Sequence, residues 1–141
     1  MKAICRFALV VVVVLAFGCL TTGNLNTEKI KNVKRTVYIS EHLNRWEQRH
    51  ISSVKKLLEK YGYQIVQTRE QSELYLDFVI EGGVTITARI ALLKNQEELV
   101  SSESSNYGWG TVIARPIAVA GRVKAVLEDF ETKLKTINES K

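Results

Sequence analysis

Five groups of side chains in this 141-residue chain have types and spacings that bear on chemistry. His42 and His50 are the two histidines, and they stand eight residues apart in a stretch with helical periodicity. Two turns of helix separate them by about 12 Å, whereas a helix that offers two ligands to one zinc ion spaces them three or four residues apart. No metal site is expected, and His50, on the apolar stripe, reads as a partly buried, hydrogen-bonded residue. Asp77 and Glu81 fall on one face of an alternating segment with Tyr75, near Arg89 across a hairpin. Two carboxylates so placed can serve acid-base chemistry; the competing reading is a wetted sheet face crossed by ion pairs. Ser101, Ser102, Ser104 and Ser105 form a polar strand end without the glycine pattern of a nucleophile elbow. Gly82-Gly83 marks a turn, with no lysine after it to hold a phosphate. Asn106-Tyr107-Gly108-Trp109-Gly110 sets two amphipathic rings beside glycines, so Asn106, Tyr107 and Trp109 are a candidate binding loop for a glycan, a peptide or another subunit. The alternative is that Trp109 folds back to close the core. Trp46 lies on a helical stripe and is expected in the core.

Cysteine use narrows the setting. Cys5 and Cys19 are the only thiols, and both lie at the amino terminus. Lys2 and Arg6 supply positive charge, Phe7 to Phe17 is unbroken apolar sequence, and Ala16 and Gly18 are small residues at the two positions that a signal peptidase reads. The run is short for a membrane-spanning helix, which needs about 20 apolar residues. Leu15-Ala16-Phe17-Gly18-Cys19 resembles the lipobox of bacterial lipoproteins, with Ala16 where that family favours leucine. The resemblance implies that residues 1–18 are a signal peptide and that the Cys19 thiol receives a diacylglyceryl group. Leu20, in place of an aspartate, implies delivery to the outer membrane on its periplasmic face. An inner-membrane lipoprotein, or a secreted periplasmic protein cut by ordinary signal peptidase, remains the alternative. Each buried methylene of an acyl chain contributes about 0.8 kcal/mol, and more than one chain is needed for stable residence.

Without Lys2 and Arg6 the formal charge of +5 falls to +3. No basic cluster alternates with aromatics, so nucleic acid is not an expected partner. A segment from 34 to 141 has the length of one domain. It contains no cysteine, so its stability rests on a hydrophobic core. Residues 19–33 read as the lipidated cysteine and a flexible tether, with a reach of some 40 Å if extended at about 3.4 Å per residue.

The elements that position the candidate residues follow from periodicity. Lys34 to Ile39 reads as a strand, with Ser40 as the cap of a helix over residues 41–61 whose stripe is Leu43, Trp46, His50, Val54, Leu57 and Tyr61. Gly62 suits the position just beyond that helix. Tyr63 to Thr68 is a second strand. Leu74, Leu76, Phe78 and Ile80 alternate with polar residues, as do Val84, Ile86, Ala88, Ile90 and Leu92, and Glu81-Gly82-Gly83 between them signals a hairpin. Lys94-Asn95-Gln96 is a second turn, before a short edge strand over Glu98 to Glu103. A final helix starts near Arg115, with Pro116 in its first turn and a stripe of Ile113, Ile117, Ala120, Val123, Leu127, Phe130, Leu134 and Ile137. Gly121 either weakens it or allows close approach to the sheet.

The order β-α-β-β-β-β-α predicts an α+β two-layer sandwich, a mostly antiparallel sheet with two helices on one face. Leu57 to Tyr63 and Ser72 to Leu76, followed by an amphipathic helix, are similar to small uncharacterised periplasmic lipoprotein domains; that resemblance implies a fold and an address. The expected function is a non-enzymatic, outer-membrane-anchored periplasmic lipoprotein without cofactors. It would act in envelope assembly or maintenance, or as a binding module, through protein or glycan contacts. The alternatives are a small periplasmic hydrolase using Asp77 or Glu81, and an oligomeric scaffold that pairs through the edge strand or the aromatic loop.

Overall fold

The computed structural model of the chain describes residues 21–83, 85–107 and 115–140. Cys19 and the rest of the leader, Val84, Trp109 and Ile113 lie outside the described residues. The elements run β1 (Thr21–Thr22), α1 (Thr27–Lys31), β2 (Thr36–Ile39), α2 (Arg45–Lys60), β3 (Gln64–Val66), a single 3-10 turn (Arg69–Gln71), β4 (Leu74–Gly82), β5 (Thr85–Lys94), β6 (Glu97–Tyr107) and α3 (Arg115–Glu139). They build an α+β fold around one six-stranded mixed sheet of order β1-β6-β5-β4-β2-β3. Neighbours from β1 to β4 are antiparallel, and β2 runs parallel to both β3 and β4.

Alternation decides which face of the sheet is covered. Leu74, Leu76, Phe78 and Ile80 of β4 and Ile86, Ala88, Ile90 and Leu92 of β5 are all buried, and the residues between them on β4 are not. α3 lies along β5 and β6, and α2 along β4 and β3. Its 25 residues give α3 a length of about 37 Å, close to that of an 11-residue strand at about 3.4 Å per residue. Val119, Val123, Val126, Phe130, Leu134 and Ile137 form its buried stripe. Each large side chain so buried contributes about 2 kcal/mol.

Several expectations need correction. Residues 21–33 are not a tether. β1 pairs with β6 through Thr21↔Ser104 and Thr22↔Glu103, Leu25 bridges Val100, and Ile30 of α1 is buried in the core. Gly23 explains why the segment can lie so close: a Cβ there would sit 2.0 Å from the Ser101 carbonyl oxygen. β6 is therefore an 11-residue inner strand, covered on its outer flank by residues 21–25, where sequence suggested a short edge. Leu99 and Val100 are buried side by side because the register shifts between Leu92 and Leu93, a bulge that turns an extra leucine inward. On α3, Ile117 and Ala120 face solvent, and Val119 and Val126 take the places expected of them in the core. Gly121 faces open space, so it permits no close approach.

The start of α2 also differs. Ser40 caps nothing; its Oγ accepts from the His42 amide at 3.2 Å. The cap is Asn44, whose side-chain oxygen accepts from the amides of Trp46 and Glu47 at 2.8 and 3.1 Å. Glu47 closes the capping box by accepting from the Asn44 amide at 2.7 Å. The same two side chains reach the sheet. Glu47 Oε1 accepts from the Ile80 amide at 3.1 Å, and Asn44 Nδ2 donates to the Ile80 carbonyl at 3.1 Å. β2 pairs with β4 only over Leu74 to Leu76, so these groups substitute for a strand at Ile80. The buried centre of the α2 stripe is consequently Glu47, Val54 and Leu58, with Trp46 half-buried beside it. At the far end, Gly62 at φ +79° lets its amide reach the Glu59 carbonyl and the Tyr63 amide reach the Leu58 carbonyl, a Schellman closure.

Glu47→Ala removes a cap and leaves the Ile80 amide without its acceptor, so thermal or urea unfolding should show a loss of about 2 kcal/mol or more. Glu59→Ala, on the exposed face of the same helix, should change stability by less than about 0.5 kcal/mol.

Candidate functional site

The uncovered face of the sheet carries the carboxylates. Arg89, on β5, is the hub: its guanidinium is paired with Asp77 of β4 and Glu98 of β6, and its Nε lies 3.9 Å from Glu103. Glu98 also accepts from the Ser101 hydroxyl. Partial burial works against the Arg89 charge, but the Glu98 and Asp77 carboxylates outweigh it and raise its pKa. Asp77 is thus spent in a cross-strand ion pair. It borders a hollow of about 370 Å³ with Arg69, Tyr75, Leu93, Asn95 and Gln96. Glu81 stands exposed four residues further on, opposite Thr87 at the hairpin end. The two carboxylates share a face, as the alternation indicates, but they do not converge.

Aromatic and polar groups line the same face nearer the turns. The Tyr38 and Tyr75 rings lie 6.2 Å apart, and the Arg69 guanidinium sits 5.1 Å over Tyr75. Asn95 and Gln96 have φ values of 50° and 68°, which a two-residue type I′ turn requires at both central positions. The serines are divided between faces. Ser102 donates to Asp129 of α3 at 2.6 Å, and Lys133 reaches Asp129 at 2.6 Å, the Ser101 carbonyl at 2.6 Å and the Ser102 hydroxyl at 3.2 Å. This network clamps α3 to β6 and leaves Ser102 wholly buried.

Of the proposed aromatic loop, the described part is its beginning. Asn106 pairs with Ile86 and Tyr107 with Thr85 at the end of β6, so both belong to the sheet. Trp109 and Cys19 lie outside the described residues. The histidines do not meet: His42 is exposed before α2, and His50 faces α3. Among the described residues, no three His, Cys, Asp or Glu side chains cluster as metal ligands would.

One hollow was not foreseen. α2 and α3 touch sparingly and leave between them an open groove of about 460 Å³, with Leu57, Val123 and Leu127 at its base and His50, Lys56 and Lys124 on its rim. Lys60 pairs with Glu131 across one end. The Lys60 hydrogen bond, then that from Tyr61, holds the Glu131 carboxyl below the usual range. The signal for this groove was present in α3, which carries more apolar positions than one stripe can bury. Ala120 and Leu127 are the surplus that lines it, and Ile117 stands exposed nearer the start of the helix. Burial in the groove, and then the nearby Arg49, push the His50 pKa down.

No family model matches the chain, and no curated protein sequence matches it. Among solved structures, a dodecamer of a PelC variant from Paraburkholderia phytofirmans is similar at a TM-score of 0.46 and 11% identity, over 82% of this chain and 96% of that one.

A histidine whose folded pKa lies below its ordinary 6.5 binds fewer protons in the native state than in the unfolded one. His50 should therefore contribute a loss of stability as pH falls through 6.5, levelling off below its folded pKa. Urea titrations across that window should show a shallower pH slope in His50→Gln.

Proposed function

We propose that the chain is an exported lipoprotein-type binding module of the bacterial envelope, fastened through Cys19 and working by contact with an envelope protein or glycan. The reading is supported first by the leader, in which Lys2 and Arg6 precede an apolar run that ends at Ala16, Gly18 and Cys19. It is supported next by how the polar groups are used. Asp77, Glu98, Asp129, Lys133 and Glu47 are all held in ion pairs or backbone-directed hydrogen bonds that join elements of the fold. Side chains committed in this way stabilise the scaffold and are not poised to exchange protons with a substrate.

The observation that carries the reading is that the described sheet already begins at Thr21, two residues after Cys19 in the sequence. Only Leu20 separates it from Thr21, which is paired to Ser104. Two residues span at most about 7 Å. An acyl chain on Cys19 would hold the folded domain directly at the bilayer, without the long reach that a free tether would give. Outer-membrane delivery on the periplasmic face belongs to this proposal, and Leu20 after the cysteine is its basis.

Metabolic labelling with an alkyne fatty acid tests it. The wild-type chain should take up label and sediment with membranes, and Cys19→Ser should do neither. Label that persists on Cys19→Ser rejects the anchor.

A further inference from the structure

We propose that the end of the molecule where α2 and α3 begin is a membrane-facing surface that takes the headgroups of anionic phospholipids. It rests in part on the anchor at Cys19, because that residue fixes which end of the sheet lies nearest a bilayer. Thr21 is opposite Ser104, Ser104 is opposite Ala88, and Ala88 is opposite Ile80. Ile80 is in turn bonded to Asn44 and Glu47 at the start of α2. Arg115, the first residue of α3, donates to the Gly82 carbonyl at 2.6 Å. One level of the sheet therefore holds the entry of the chain and the first turns of both long helices. Because β1 is antiparallel to β6, Thr21 is nearer this end than Thr22.

The side chains presented there suit a bilayer interface. Ile117 is 77% exposed and is the one large apolar side chain standing free among the described residues. Arg45 and Arg49 are exposed on the first two turns of α2, and among the described residues neither is paired with a carboxylate. The Arg49 guanidinium lies 5.2 Å over the half-buried Trp46 ring. Arginine, tryptophan and an isolated aliphatic side chain are the combination that settles at the boundary of headgroups and acyl chains. Glu41 and Glu81 are the exposed acids at this end, beside the exposed Arg45 and Arg49; Glu47 is buried in the helix cap, and Arg115 is half-buried against Gly82. Lys55 and Lys56 continue the basic face along α2.

The test uses the full chain, isolated from producing cells and reconstituted in vesicles of phosphatidylcholine alone or mixed equally with phosphatidylglycerol. Benzoylphenylalanine replaces Ile117 or, as a control, the exposed Lys135, about 27 Å along the same helix. With phosphatidylglycerol present, lipid adduct at position 117 should exceed that at 135 by roughly tenfold. It should fall by roughly fivefold or more in Arg45→Glu/Arg49→Glu, since each basic residue near an anionic surface contributes about that factor. Equal lipid adduct at the two positions, adduct to protein in place of lipid at 117, or indifference to phosphatidylglycerol would each overturn the proposal. Mass analysis of Cys19 in the same preparation judges the anchor separately: a bare thiol removes the anchor, and the adduct comparison still decides the surface.

Discussion

The fold depends on how the exposed flank of β4 is closed at Ile80. β2 is four residues long and β4 is nine, so most of β4 has no strand on that side. A bare amide and carbonyl in the interior would cost about 1–3 kcal/mol each. The helix start that follows β2 meets that demand. Asn44 and Glu47 each cap α2 with one side-chain atom and bond Ile80 with the other, so the same two side chains serve the helix and the sheet at once. Local capping and long-range docking thus draw on the same two residues. That is why a glutamate, 7% exposed, sits at the centre of an otherwise apolar stripe.

The second organising feature is a division of labour among polar residues. On the covered face, Ser102 and Ser104 leave room for α3 and offer hydroxyls to Asp129 and Arg122. On the open face, Arg89 draws together carboxylates from the strands to either side. The sheet is tied across its width by charge and across its thickness by packing. The groove between α2 and α3 arises because each helix follows its own pair of strands, α2 over β4 and β3, α3 over β5 and β6.

Much of this was legible from periodicity. The alternation in Leu74 to Ile80 and Ile86 to Leu92 placed the covered face, Gly62 marked the end of α2, and Pro116 marked the start of α3. The Asp77 and Arg89 pairing followed from hairpin geometry. What escaped depended on partners distant in sequence. Residues 21–33 have little apolar periodicity and hold their place through backbone bonds to β6, which composition does not reveal. Glu47 reads as a surface residue of α2 until Ile80 is brought beside it. On α3, periodicity put Ile117, Ala120 and Leu127 in the buried stripe, and only the sheet decides that Val119 and Val126 go in and Ile117 stays out. The groove is the remainder of that choice.

The two outermost strands of the sheet are its shortest, two residues in β1 and three in β3. Among the described residues, backbone donors and acceptors on either rim are too few to template a neighbouring chain into a continuous ribbon. Fibrous growth by successive strand addition is thereby discouraged, even when many copies crowd together in one plane. Among the described residues, association between copies is left mainly to side-chain surfaces, whose shape and charge can be specific.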